Sequence, residues 1–461
     1  MMDKYEMETI WDGDDQMHAA SLMSNELLSR RLNEHCSSLA QSGYLNGCVL
    51  VALEGRTLLS KGYGMANFEH GIPNTPQTKF RIGSMTKQFT AMAIMLMHEL
   101  KQLNVNDPIS KYITSYPNGD KITIHHLLTH TAGIPNFTGL DDYAARMRMP
   151  SSTSDTVDRF IGLPLLFEPG TQFDYSNSGY VLLSYLIEQI TGRTYADYIH
   201  HVLLKPLGMI NSGYDDAAKI LKNRAAGYEV WGSLVHAEFT DMSIPSGAGG
   251  MYSTIEDLYI WGLSLHSQRQ INEQAYERMT TPFNGKYGYG LFVYEEEIRG
   301  SSRKVIGHSG GINGFISEMK HYKDEDLTVI VLSNLVTTQV GHISKELAQI
   351  AFGDELQPPP AYAPVLLAAS RQQELLGSYA VEDEPKVSFQ ITFEQERLYI
   401  SLDKSFKFEL CPYCVQEHKI DFFLKGMQGK VAFCTSAERM ELLVQLYGGA
   451  KKAVKKREHQ I

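Results

Sequence analysis

Ile82-Gly83-Ser84-Met85-Thr86-Lys87-Gln88-Phe89-Thr90-Ala91-Met92-Ala93-Ile94-Met95-Leu96-Met97 is the stretch that orders the rest of the chain. From Met85 to Leu100 it is apolar on nearly every side (Phe89, Met92, Ile94, Met95, Leu96, Met97), which predicts a buried central helix. Ser84 opens that helix, where unpaired backbone amides favour a developing anion. Lys87, three residues on, projects from the same face and reaches the hydroxyl. The plainer alternative is a helix cap followed by a solvated lysine, and a lysine this early in a buried helix speaks against it. Ser-x-x-Lys recurs at Ser301, Ser317 and Ser401. Ser317 and Ser401 stand in strand-like runs where alternation separates the pair, and Ser301 falls in a polar turn. Ser84 and Lys87 are therefore the candidate nucleophile and base.

Two further clusters complete a set. Tyr175-Ser176-Asn177 follows the turn Phe167-Glu168-Pro169-Gly170-Thr171, and Asn177 begins an amphipathic helix through Ile190 that Gly192 closes. Tyr175 thus lies in a loop at a helix mouth, a usual place for catalytic groups; Asn177 also reads as a plain helix cap. His308-Ser309-Gly310 follows a strand, Lys304 to Gly307, and enters Gly311-Ile312-Asn313-Gly314. Glycines at 307, 310, 311 and 314 let backbone approach a ligand closely. No Gly-Lys-Ser/Thr accompanies them, so a phosphate loop is not indicated. A hydroxyl nucleophile, an activating amine, a phenol that relays a proton and donors for a carbonyl are the parts of an acyl-transfer site.

Outward from these motifs, Cys48 to Leu53 and Thr57 to Lys61 read as a hairpin about Glu54-Gly55-Arg56. Helical patterns dominate from Ser84 to Trp261. Strand patterns return at Tyr289 to Tyr294, Lys304 to Gly307, Phe315 to Tyr322 and Thr328 to Leu332, before a helix at Ser344 to Phe352. Strands at both ends around a helical middle predict an α+β fold: an antiparallel sheet flanked by helices, with an inserted helical subdomain and the site in the cleft between them. Pro358-Pro359-Pro360 marks a boundary, and short alternating segments beyond it predict a small all-β, barrel-like domain. The expected division is a polar extension at 1–24, a hydrolase domain at 25–355, a Pro-rich linker at 356–366 and a β domain at 367–461.

The chain's 461 residues exceed what one core usually serves, and its net charge of −11 argues against nucleic acid as a partner. No run approaches the roughly 18–20 apolar residues that span a membrane. The acidic N-terminus lacks the pattern of a secretory signal, so a cytoplasmic location is expected. Five cysteines, an odd count, fit a reducing compartment. Cys411-Pro412-Tyr413-Cys414 spells a dithiol motif, but its flanks read as strands, so a place beside a hairpin turn is expected over redox chemistry. His126 and His130 stand at i, i+4 without the glutamate of a zinc-peptidase motif, so neither a metal nor a cofactor is expected. Lys451 to Arg457 reads as a frayed, solvated tail.

At these residues the chain resembles the class C β-lactamase and DD-peptidase superfamily of penicillin-recognising serine hydrolases. Beyond the three motifs, the likeness includes Phe80-Arg81-Ile82-Gly83, Leu127-Leu128-Thr129-His130-Thr131-Ala132-Gly133-Ile134-Pro135, Pro206-Leu207-Gly208-Met209 and Gly247-Ala248-Gly249-Gly250, over roughly residues 25–353. From about Arg371 the chain looks like the lipocalin-like β domain appended to some members. The resemblance implies that Ser84 is acylated and that Lys87 with Tyr175 manages its proton. It further implies that Asn177 binds the substrate amide, that His308, Ser309 and Gly310 line the substrate, and that the amides of Ser84 and Gly311 form the oxyanion hole. Lys87 is expected to have a depressed pKa, and the nearby Lys87 and His308 to lower that of Tyr175. Where class C lactamases carry lysine, this chain has His308, which is charged only below about pH 6.5. The implied activity is peptidase action on D-amino-acid-containing peptides; carboxylesterase action is the alternative, and weak β-lactam turnover comes after it. A small peptide, ester or β-lactam is then the expected partner. A sensor that binds without turnover is the reading of another class, and the intact residue set argues against it.

Overall fold

The computed structural model describes residues 13–283, 285–384, 386–402, 406–435, 439–446 and 449–456. Six strands form one antiparallel sheet in the spatial order Phe292–Ile298, Ser301–Ile312, Phe315–Tyr322, Leu327–Ser333, Gly47–Leu53, Arg56–Tyr63. The first strand of the chain thus pairs with one nearly three hundred residues later, with Val49 opposite Val331 and Leu50 opposite Ile330. Both of these central strands are buried on both faces, and alternation assigns their side chains to two cores. Val49, Val51, Val329 and Val331 pack under Leu32, Cys36, Ile343 and Leu347 from the helices Gly13–Gln41 and Val340–Ala351. Leu50, Ile330 and Leu332 face the other way, onto Phe89, Met92 and Met95 of the helix Thr86–Glu99. That helix is the buried central one expected from its composition: eleven of its residues, including Lys87, are buried. Gln88, on the same helix, accepts from Trp261 Nε1 at 3.0 Å through its Oε1 while Phe89 stacks on the indole.

Three details depart from the reading of the sequence. A helix begins at Gly13, inside the stretch 1–24 expected as a polar extension; residues 1–12 lie outside the described residues. His308, Ser309 and Gly310 are within the strand Ser301–Ile312 and not in a loop after it, because Gly310 pairs with Ser317 and Gly311 with Ile316 across the sheet. Lys451 and Lys452 belong to a strand, Gly449–Lys455, instead of a frayed tail. Their ammonium groups sit 3.0 Å from Glu384 and 3.1 Å from Glu441, while Arg457 lies outside the described residues.

That last strand closes an eight-stranded antiparallel barrel running from Gly377 to Lys455, with Tyr379 opposite Lys455 at the seam. Its interior is filled by Phe389, Ile391, Ile400, Phe422, Leu424, Val431, Phe433 and Leu442, each worth about 1.5–3 kcal/mol when fully buried. Leu375, from the short helix Ala369–Leu375, joins the same core, and its carbonyl accepts from the Tyr379 hydroxyl at 2.8 Å. The barrel is thus lipocalin-like with a solid, side-chain-packed centre. Cys411 and Cys414 lie on the strand Phe406–Val415, at a register shift between Pro412 and Cys414. Burial pushes the Cys411 thiol up to about 11, the opposite of what a reactive thiolate needs. The Gly232 amide donates to Lys407 O at 2.7 Å, and Gln339 Nε2 to Gln428 O at 2.7 Å, which joins barrel to sheet domain. No helix among the described residues is long and apolar enough to cross a membrane.

Candidate active site

Ser84 sits in a tight turn, Gly83–Met85, that leads into the central helix. Gly83 has φ +49°, and a Cβ there would come within 2.8 Å of the Gly311 backbone. Gly310 is tighter still, since its Cβ would meet Ile82 O at 2.0 Å. Glycine at both places lets the strand Ser301–Ile312 lie directly against the Ser84 turn. Ser317, the third Ser-x-x-Lys serine, serves this seam: its hydroxyl donates to Ile82 O at 3.0 Å. Lys320 leaves on the opposite face of its strand, to Glu296 at 3.1 Å, as alternation requires.

Lys87 is wholly buried, and burial drives its pKa well below the ordinary lysine value. Its Nζ lies 2.8 Å from Ala248 O, 2.8 Å from Asn177 Oδ1 and 3.1 Å from Ser84 Oγ. The first two atoms only accept. In the neutral amine, therefore, two N–H bonds go to them and the lone pair is left for the Ser84 hydroxyl. Ala248 lies in the short helix Ser246–Gly249, within the Gly-rich run quoted above; its part is a backbone carbonyl, which no side-chain motif reports.

Tyr175 lies beside Ser84 in the wall of one pocket. Burial raises its phenol above the ordinary value and the neighbouring Ser84 hydroxyl offsets only part of that, so the expected lowering by Lys87 and His308 is overturned. A buried phenolate costs more than these neighbours return, because Lys87 itself is neutral. Behind Tyr175 stands His130, one of the two histidines spaced like metal ligands. Its ring centroid is 4.2 Å from that of Tyr175, and its Nδ1 accepts from the Ser176 amide at 3.1 Å. Its backbone adopts φ +56°, an uncommon left-handed conformation for a non-glycine residue. His126 turns elsewhere, accepting from the Thr123 amide to cap a helix, and no metal-ligand cluster occurs among the described residues. Asn177 begins the helix Asn177–Thr191 as expected; its amide donates to Asn136 Oδ1 at 3.2 Å and its Nδ2 to Thr138 Oγ1 at 3.4 Å.

His308 is buried, its Nε2 2.9 Å from the Tyr287 hydroxyl and its Nδ1 against Ser309 O. Burial is the largest cause that pushes its pKa down, to about 3. A pocket of about 310 Å³ opens over these groups, lined by Ser84, Phe173, Tyr175, Phe292, His308, Ser309, Gly310 and Gly311. All eight candidate residues thus converge on one place. Phe173, Phe292, Tyr287, His130, Asn136 and Thr138 are additions that the three motifs do not name.

Residues 32–351 match the family model described as Beta-lactamase. A penicillin-binding protein of Bacillus subtilis (strain 168) is 28% identical over 440 residues, covering 90% of this chain and 95% of its own. A second relative from that organism, PbpX, is 30% identical over 322 residues, 69% of this chain and 78% of its own. Among solved structures, the octameric penicillin-binding protein homologue from Pyrococcus abyssi superposes with TM-score 0.61 at 26% identity, covering 91% of this chain and 97% of that one.

Proposed function

Because the chain belongs to the beta-lactamase family, we propose that it is a penicillin-binding-protein-like serine hydrolase that cleaves D-amino-acid-containing peptides through an acyl-enzyme. The observation that carries the proposal is the buried Lys87, with two N–H bonds spent on Ala248 and Asn177 and its lone pair 3.1 Å from Ser84 Oγ. Lys87 takes the Ser84 proton as Oγ bonds to the substrate carbonyl carbon. The oxyanion so formed is held by the amides of Ser84 and Gly311. Tyr175, kept protonated by burial, passes its hydrogen to the leaving nitrogen and regains one from Lys87; water then releases the acyl group by the reverse course. Asn177 and the strand His308-Ser309-Gly310 align the substrate backbone. The domain limits 25–355 and 367–461 belong to the same proposal.

An ester substrate is the second reading, favoured by the apolar rings of Phe173 and Phe292 in the pocket lining. Intact-mass spectrometry during turnover of a p-nitrophenyl ester of an N-acyl-D-amino acid tests both. One acyl group on the peptide containing Ser84 is expected, with the D form turned over faster than the L form. An ester hydrolysed without D preference would move the assignment to the esterase, and no Ser84-dependent turnover would reject both.

The packing of the His130 ring against Tyr175 gives a further expectation. His130→Ala should lower kcat by roughly ten- to a hundredfold with little change in KM, since a misaligned proton relay costs rate more than binding. Steady-state kinetics decide it: an unchanged kcat would remove His130 from any part in aligning Tyr175.

A further inference from the structure

The pocket's charge inventory says something about what it accepts, on the premise that Ser84 is the nucleophile. Both nitrogens of His308 are committed inside the protein. Ser309 O is a carbonyl and only accepts, so Nδ1 carries the hydrogen that faces it. The ring is neutral in its buried setting, so Nε2 is the acceptor and the Tyr287 hydroxyl donates to it across 2.9 Å. Tyr287 is itself fully buried and locked among His130, Phe292 and His308. His308 therefore presents neither a positive charge nor a free N–H to a bound molecule.

Nothing else in the lining makes up the difference. Among the described residues that line the pocket there is no arginine and no lysine, and Lys87 lies wholly buried beneath Ser84. Phe173, Tyr175 and Phe292 contribute aromatic surface; Ser309, whose hydroxyl is a neutral donor, is the exposed polar side chain at the mouth. A carboxylate brought to this wall would lose its water and meet rings in exchange, an unfavourable trade without a paired cation.

We infer that the site selects acyl donors whose leaving group carries no free carboxylate: internal peptide bonds, amides and esters in preference to a chain's C-terminal residue. The juxtaposition behind it is a histidine with both nitrogens occupied, in a wall of aromatic rings that holds no cation. This inference narrows the proposed activity toward endopeptidase, amidase or esterase action and away from carboxypeptidase action.

A matched pair of thioesters tests it on the wild-type chain. The thioester of N-benzoylglycine with thioglycolic acid leaves with a free carboxylate; the same compound methylated on that carboxylate leaves neutral. Thiol release is followed colorimetrically, and each kcat/KM is divided by the compound's hydroxide-catalysed rate to cancel intrinsic reactivity. The methylated compound is expected to be favoured by about tenfold, the scale of discrimination one unpaired group gives in such a pocket. A ratio of one, or a preference for the free acid, overturns the inference and leaves the acyl-enzyme reading standing. If neither thioester were turned over in a Ser84-dependent way, the acyl-enzyme reading itself would fall, and the inference with it.

Discussion

Ser84→Ala is expected to leave no acyl adduct and to reduce kcat/KM by roughly 10⁴-fold or more, since nucleophile and base act as a unit. Lys87→Met should come close to the same loss, because the hydroxyl then has no base within reach and Tyr175, held protonated, cannot substitute. The pH profile distinguishes this arrangement from one in which Tyr175 is the base. Burial lowers the Lys87 pKa, and the active form is the neutral amine. Activity is therefore present above that pKa and lost as pH falls through it, which makes the acid limb the titration of Lys87. Burial raises the Tyr175 phenol above its ordinary value, so the wild-type profile should stay flat on the alkaline side to about pH 10. A profile that rose with a phenol-like pKa would assign the base to Tyr175 and overturn the scheme.

Gly310→Ala carries the second large effect, and it acts through the backbone alone. The added methyl would stand 2.0 Å from Ile82 O and 2.5 Å from Ser317 Oγ. The serine hydroxyl can rotate; the carbonyl cannot move without carrying Gly83 and Ser84 with it. The strand and the serine turn must part, and the amides of Ser84 and Gly311 part with them. A kcat loss on the order of 10²–10³ is expected, comparable to removing one oxyanion donor. The accompanying destabilisation should be only about 1–3 kcal/mol, the usual cost of overpacking. Steady-state kinetics beside a thermal melt test this. Retained kcat in a folded variant would show that the two amides do not work as a pair.

How much of this was legible in advance depended on whether the information was local. Ser84 and Lys87 were readable because a lysine in the first turn of an apolar helix is anomalous by itself. The place of Asn177 was readable because an amphipathic run begins there, after the turn at Pro169-Gly170. The aromatic ring lining was not, since Phe173 and Phe292 have nothing in common until the sheet edge and the loop meet. His130 showed the limit of spacing arguments: at i, i+4 from His126 it looked like half a metal site, yet from a left-handed backbone its ring packs against Tyr175. Lys451 and Lys452 were misread for a related reason. A strand that closes a barrel answers to its partners, here Glu441 on the neighbouring strand and Glu382 and Glu384, and the last two lie far off in sequence. Tyr175's raised phenol was missed because the expectation counted charges near it without asking whether burial would leave them charged.

The seam between barrel and sheet domain, made by contacts such as Gly232 to Lys407 and Gln339 to Gln428, also has a kinetic side. The Pro-rich segment 356–366 tethers the two halves, so each separation is followed by a first-order return rather than a search through solution. A tether of that length keeps the barrel at an effective concentration on the order of millimolar. Contacts too weak to assemble two free proteins are therefore enough to hold this pair docked, and dilution of the protein does not loosen them.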